Sequence, residues 1–232
     1  MEFLVRKEQL PLHRGQEMLR IGHVSDIHTK WSGKKLEYLY RLLDENKPDL
    51  ICFTGDYYDT AKGLELFFDF LHALCDQSTC ILISGNHEGW FGLRDRYILK
   101  LSQISNAINL NNSDYSVTSK RGFDYRFSSK SKSVDRNSHQ DSKAILLRHN
   151  PEHIRQSSVF GFDLILAGHL HGGQFVLRHL SDGRLFPGCL LYKYCVDRIT
   201  INGTTLIVSR GIGDTIPLRF NCPYELVLID IA

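Results

Sequence analysis

The sequence has no CxxC pair, no apolar run near the ~20 residues of a membrane-spanning helix, and no excess of either charge. Each absence removes a class of function. Its 28 Lys and Arg stand against 26 Asp and Glu, a formal charge of +2. That balance is too even for binding nucleic acid or an acidic membrane through bulk charge. Six cysteines (Cys52, Cys75, Cys80, Cys189, Cys195 and Cys222) follow no regular spacing. They argue against a disulfide framework and for buried thiols in a reducing compartment. The N-terminus lacks the charged-then-apolar pattern of a signal peptide, so a soluble protein is expected. There is no internal repeat.

What is present is a series of short apolar runs that end in polar clusters. Leu19 to Val24 leads into Ser25-Asp26-Ile27-His28, and Leu50 to Phe53 into Thr54-Gly55-Asp56. Cys80 to Ile83 leads into Ser84-Gly85-Asn86-His87-Glu88, and Ala144 to Leu147 into Arg148-His149-Asn150-Pro151. Leu164 to Ala167 leads into Gly168-His169-Leu170-His171. Runs this short, bounded by Gly, Asn or Pro, read as buried strands. Between them, Leu36, Leu39, Tyr40, Leu42 and Leu43 show helical spacing, as do Leu64, Phe67, Phe68, Leu71 and Leu74, and Tyr97, Leu101 and Ile104. Beyond Gln174 the pattern turns to strand-like runs, clearest at Leu206 to Val208 and Leu226 to Ile231. The order predicts an α/β fold with a two-sheet core flanked by helices, in one domain over 1–232. Residues 128–143, with six serines and the single apolar Val134, are expected to form a mobile loop.

In α/β proteins, ligands collect where strands end. Five predicted strands here each deliver Asp, Asn or His at that end, and core packing has no use for so many polar groups there. Asp26 and His28 lie two apart, as do His169 and His171, so extended backbone would aim each pair to one side. With Asp56, Asn86 and His149 they make seven nitrogen and oxygen donors, enough for two four-ligand sites if one carboxylate bridges. Mixed His and carboxylate shells suit Mn²⁺, Fe or Zn²⁺ better than Mg²⁺ or Ca²⁺. Two metals about 3.5–4 Å apart can supply a nucleophile at neutral pH and clamp a phosphoryl group.

These residues resemble the calcineurin-like metallophosphoesterases. The resemblance is carried by DxH at Asp26–His28, GDxxD at Gly55–Asp59, GNHE at Gly85–Glu88, His149 before Asn-Pro, and GHLHGG at Gly168–Gly173. It implies a four-layer αββα architecture and two divalent ions, Mn²⁺ foremost. Asp26, His28, Asp56 and His171 would bind one, and Asp56, Asn86, His149 and His169 the other, with Asp56 as bridge. His87 would stand off the metals near the leaving oxygen, oriented by Asp59. Thr60 stands where the superfamily's protein phosphatases carry arginine.

Val208 to Gly213 and Pro217 to Phe220 narrow the resemblance to a bacterial branch of small phosphodiesterases. That branch is similar to the chlamydial UDP-2,3-diacylglucosamine pyrophosphohydrolase of lipid A synthesis. It implies a phosphodiester or nucleotide-linked, lipid-bearing substrate and no protein partner. Its members often begin with a membrane anchor or export signal, and since this N-terminus shows neither pattern, a cytoplasmic enzyme in peripheral contact with the inner membrane is expected. Asp197, in place of a glycine, and Arg148, in place of a small residue, depart from the branch pattern. The alternatives are a broad phosphodiesterase acting on cyclic nucleotides or small diesters, and an inactive scaffold of the same fold. A nuclease is disfavoured by the absence of a basic stripe.

Of the remaining histidines, His13, His23, His72, His139, His153 and His179 read as structural. Arg210 and Arg219 could clamp a phosphate or form ordinary ion pairs. Trp90 and Phe91 could line an apolar lip or anchor their loop. Gly172 and Gly173 could make a turn or admit a phosphate to the backbone.

Overall fold

A computed structural model describes residues 2–12, 19–90, 92–111, 113–130, 142–155, 161–214 and 216–232. After β1 (Phe3–Leu10), strand and helix alternate: β2 (Leu19–Val24), α1 (Lys34–Asn46), β3 (Leu50–Phe53), α2 (Ala61–Cys75), β4 (Thr79–Leu82), α3 (Arg94–Leu101) and β5 (Ala107–Asn109). Strands dominate the rest: β6 (Tyr115–Thr118), β7 (Asp124–Ser128), β8 (Lys143–Leu147), β9 (Leu164–Ala167), β10 (Val176–His179), β11 (Leu185–Pro187), β12 (Arg198–Ile201), β13 (Thr204–Val208) and β14 (Tyr224–Ile231).

Two six-stranded sheets result, in the orders β1-β14-β2-β3-β4-β5 and β12-β13-β9-β8-β7-β6, with β10 and β11 as a separate hairpin. In the first sheet β2 to β5 run parallel, and β14 enters antiparallel beside β2. In the second, β13, β9, β8 and β7 run parallel between antiparallel edges.

Alternation of side chains decides the layers. Leu50 and Cys52 of β3 join Ile145, Leu147, Leu164, Leu166 and Ile207 in the core between the sheets. Ile51 and Phe53 face the other way, onto the helices, where Leu39, Leu64, Phe67 and Leu71 cover them. Among the described residues the α-helices α1, α2 and α3 all lie on this face. The outer face of the second sheet, with Leu146, Ile165 and Leu206, is covered instead by the hairpin and by irregular chain bearing Ile154, Phe162 and Tyr194. Among the described residues, then, the fourth layer is loops rather than helix.

The first two predicted helices and the principal strands lie where the periodicity places them, while the third ends at Leu101 and leaves Ile104 beyond it. α1 stops at Lys47, in left-handed conformation (φ 45°) just before Pro48. Of the 128–143 segment, Ser128 and Lys143 are strand residues, and 131–141 lie outside the described residues. All six cysteines are free thiols. Among the described residues no helix is long and apolar enough to cross a membrane.

Candidate metal centre

The C-terminal ends of β2, β3 and β4 in one sheet and of β8 and β9 in the other meet at one edge of the sandwich. Backbone hydrogen bonds join the segments that leave them. Asp26 N donates to Gly55 O and His28 N to Asp56 O, both at 3.0 Å, and Gly168 N donates to His149 O at 3.0 Å. The sheets are tied across the edge where His169 N donates to Asp26 Oδ2 at 2.8 Å.

The backbone here is not extended. Asp26 (φ 51°), His28 (49°), Asp56 (58°), His169 (71°) and His171 (49°) all adopt left-handed conformation. Each such non-glycine residue costs about 1 kcal/mol or more. The pairs two residues apart do converge, but through consecutive tight bends rather than strand alternation. Between Asp26 and His28, Ile27 is buried in the helical core layer.

Two trios of donors form. In the first, Asp26, His28 and His171, all buried, bring ligand atoms within 4.8 Å of one another. His28 Nε2 lies 3.3 Å from His171 Nε2, and His171 Nε2 lies 3.8 Å from Asp26 Oδ1. In the second, Asp56, His149 and His169 cluster equally tightly. His149 Nε2 lies 3.2 Å from Asp56 Oδ2, 2.9 Å from Asn86 Oδ1 and 3.0 Å from His169 Nδ1. Asp56 Oδ2 also lies 3.8 Å from His28 Nε2, so this carboxylate stands between the trios. All seven predicted donors are thus brought together.

The far side of each ring fixes its tautomer. His28 Nδ1 donates to Asp59 Oδ1 at 2.9 Å, His149 Nδ1 to Thr54 O at 2.8 Å, and His171 Nδ1 to Gly213 O at 3.2 Å. Three Nε2 atoms therefore turn into the cluster. Burial pulls His171 down to about 4, helped by His28 and Arg219 against Asp26, so it stays neutral. Burial opposes charge on His149 too, but its hydrogen bond to Asp56 and the charges of Asp26 and Asp56 lift it to about 9. Geometry that retains a proton between His149 and Asp56 would retain a cation.

The donor set fits divalent metals. Among the described residues Asp26 Oδ1 is buried without a hydrogen-bond partner, a costly state for a carboxylate oxygen unless a cation faces it. Gly168 allows the close packing: a Cβ there would lie 2.3 Å from Asp26 Oδ2 and 1.9 Å from Ser25 Oγ.

A third group surrounds His87. Its Nδ1 donates to Asp59 Oδ1 at 2.7 Å, and its Nε2 faces the cluster 3.9 Å from Asp56 Oδ2. Asp59 therefore receives two imidazoles on one oxygen, His28 as well as His87. Burial alone would raise its pKa, but the two hydrogen bonds hold it far below the usual carboxylate range.

Some supporting residues escape sequence reasoning. Glu88, fully buried, accepts from the backbone N–H of Asp56 (3.0 Å), Tyr57 (2.7 Å) and Gly85 (2.5 Å), and so holds the bend at Asp56. The GNHE motif exposes the residue but not this role. Thr60 caps α2, its Oγ1 accepting from Gly63 N at 3.0 Å, and so anchors the residue after Asp59. Trp90, 49% exposed, stacks on His87 with centroids 4.0 Å apart at 28°.

Neither C-terminal arginine points to a phosphate clamp. Arg210 is held by Asp197 at 2.8 and 2.6 Å, which gives that departure from the branch pattern a partner. Arg219 pairs with Asp214 at 2.7 Å behind His171. Gly172 (φ 61°) serves its turn, with Cys222 Sγ only 2.9 Å from where a Cβ would lie. His23 is buried against Thr54, His72 and His153 are exposed, and His179 lies beside Asp197. His13, Phe91 and His139 lie outside the described residues. Arg148 is half-buried and donates to Ser129 O at 3.3 Å. Burial lowers its pKa, and among the described residues no carboxylate offsets the effect.

The family model described as calcineurin-like phosphoesterase matches residues 19–173, which include every residue of both trios. An uncharacterised metallophosphoesterase of Aquifex aeolicus is 26% identical over 250 residues, 99% of this chain and 90% of that protein. Phosphodiesterase YaeI of Escherichia coli is 26% identical over 197 residues, 81% of this chain and 72% of its own. The crystal structure of a dimetal phosphatase from Danio rerio superposes with a TM-score of 0.53 at 11% identity, covering 87% of this chain and 90% of the other.

Proposed function

The chain belongs to the calcineurin-like phosphoesterase family and is a metal-dependent phosphoester hydrolase, and from that premise we propose a phosphodiesterase or pyrophosphohydrolase whose two ions are held by the seven converging side chains. Asp26, His28 and His171 would hold one ion, Asn86, His149 and His169 the other, and Asp56 both. The observation that carries this reading is Asp56 Oδ2, poised 3.2 Å from His149 and 3.8 Å from His28 between the trios. Mn²⁺ is the leading choice for such a mixed shell. When bound, the pair would supply Lewis-acid neutralisation of phosphoryl charge and a nucleophile at neutral pH.

The chain's own residues do the rest. Asp59 accepts the Nδ1 proton of His87, so the opposite nitrogen is the one presented to substrate. Placed there, His87 as the imidazolium gives its Nε2 proton to the departing oxygen or neutralises that oxygen's charge. Asp59 also sets the ring of His28, coupling the leaving-group side of the site to one metal trio.

A nucleotide-linked glycolipid of the UDP-2,3-diacylglucosamine kind is the leading substrate class. Its support is a set of exposed apolar side chains beside the centre. Trp90 lies over His87, and Trp31, 75% exposed, follows His28 by three residues. Ile216 and Leu218, 63% and 66% exposed, are tied through their carbonyls to Gln174, three residues past His171. Such a rim suits acyl chains and would let a cytoplasmic enzyme rest on a membrane surface. The broad phosphodiesterase reading draws on the name of the Escherichia coli relative.

The test is hydrolysis of bis-p-nitrophenyl phosphate against p-nitrophenyl phosphate by metal-stripped protein with and without added Mn²⁺. Faster, metal-dependent diester cleavage is expected, and UDP-2,3-diacylglucosamine should then outcompete the dye. Faster monoester cleavage would overturn the phosphodiesterase assignment.

A further inference from the structure

Beside the second trio lies a cavity of about 480 Å³. Asn86, His149 and His169, all assigned to metal above, form one wall, and Asn111, Arg148 and His153 lie on the others. Among the described residues that line it there is no carboxylate. A cavity this size with a few convergent polar groups falls within the range of ligand sites.

Arg148 is the unusual member. It leaves the end of β8 immediately before His149, and its backbone N–H is spent on Leu166 O at 2.9 Å. Among the described residues its guanidinium makes one hydrogen bond, to Ser129 O at 3.3 Å, although the group carries five N–H donors. Every other arginine around the centre has an acid: Arg210 has Asp197, Arg219 has Asp214, and Arg6 has Glu225. A half-buried guanidinium with no carboxylate pays for its desolvation only if something anionic joins it. Asn111 Nδ2 spends one of its two N–H groups on Ser84 Oγ at 2.8 Å, and Arg148 supplies the one guanidinium among the described lining residues.

The geometry points to this cavity as a subsite for a second phosphate of the substrate, held by Arg148 next to the phosphoryl group under attack. The inference rests on the phosphoesterase reading and adds a requirement to it, since a diester with one phosphate leaves Arg148 unpaired. A planar guanidinium matches phosphate oxygens in pairs, which a lysine does less well.

The test is calorimetric binding of AMP and ADP to the Mn²⁺-loaded protein, with metal content measured for each variant. The two nucleotides share base and ribose, so their affinity ratio isolates the extra phosphate. Wild type should bind ADP about tenfold more tightly than AMP, the worth of one good charge-assisted pair. Arg148→Ala and Arg148→Gln should bring the ratio close to one with metal content retained, while Arg148→Lys should keep part of the preference. An equal affinity for AMP and ADP in wild type, or an undiminished ratio in both neutral variants, overturns the subsite. The phosphoesterase reading survives that outcome if metal-dependent hydrolysis of bis-p-nitrophenyl phosphate persists. Loss of that hydrolysis in wild type would remove both.

Discussion

The two halves of the metal centre are built differently. Asp26, His28 and His171 are at most 6% exposed, and each ring is backed by a carboxylate or a carbonyl: Asp59 behind His28, Gly213 behind His171. In the other half only Asp56 is fully buried: His149 is half-buried and backed by Thr54 O, His169 is half-buried with no such backing among the described residues, Asn86 is exposed, and these three border the Arg148 cavity. One half is an anchor enclosed by the fold, and the other is a mouth. Charge does not follow this division: in the deep half burial holds His171 near 4 while His28 is raised, its burial outweighed by Asp59 and the nearby carboxylates, and in the open half His149 is lifted to about 9 while burial and His149 lower His169. The lesson is that a pair of similar ligand sets can divide binding and substrate contact between them, through what lies behind each ring.

The largest effects come from the residues that join the halves. Asp56→Ala should lose metal from both and reduce turnover by on the order of 10³-fold or more. His87→Ala should reduce turnover by roughly 10²–10⁴-fold, the usual worth of a general acid, with metal content nearly unchanged. Metal analysis beside kinetics separates the two. A purified Asp56→Ala protein with full metal and activity would end the bridging assignment.

A smaller contrast tests the anchor and the mouth directly. Chelator stripping of wild type should proceed in two phases, the open half releasing its ion first. His169→Ala should abolish the fast phase and Asp26→Ala the slow one. Outer partners of metal ligands are worth about 10–100-fold in affinity, so the phases should differ by at least about tenfold. A single phase that both variants slow or speed alike would mean that the two halves act as one site.

How much of this was legible beforehand depended on what kind of signal each feature leaves. β3 and β9, buried on both faces, read as continuous apolar runs, and their boundaries match the prediction to the residue. β1 did not stand out because Arg6, Lys7 and Glu8 interrupt it; it is an edge strand whose charges pair laterally, Arg6 with Glu8 and Glu225. The seven donors and the link from Asp59 to His87 were visible as motifs. The left-handed bends were not, because positive φ at Asp and His leaves no compositional mark of the kind glycine does. Glu88 beneath Asp56, the shared oxygen of Asp59 and the stack of Trp90 on His87 depend on which side chains meet across loops, and spacing carries no record of that.

The smallest predicted effect lies one layer under the centre, at His23 of β2. This ring is wholly buried, with Nε2 beside Thr54 Oγ1 at 2.9 Å and Nδ1 without a partner. Burial, with the charge of Arg6 adding to it and Asp26 opposing, pulls its pKa from 6.5 to about 3. The unfolded chain therefore binds a proton near pH 6.5, and the native chain only near 3. Stability from this residue is complete above pH 6.5 and falls as pH drops towards 3, by about 1.4 kcal/mol per unit. Unlike His149 and His171 it belongs to no donor trio, but Asp26 acts on its charge, so the measurement is made with metal removed. Urea titrations at pH 8 and pH 5.5 on chelator-treated protein should show wild type losing roughly 1 kcal/mol more than His23→Gln over that interval. Equal losses in the two proteins would place the acid sensitivity of the fold elsewhere, in the metal trios themselves.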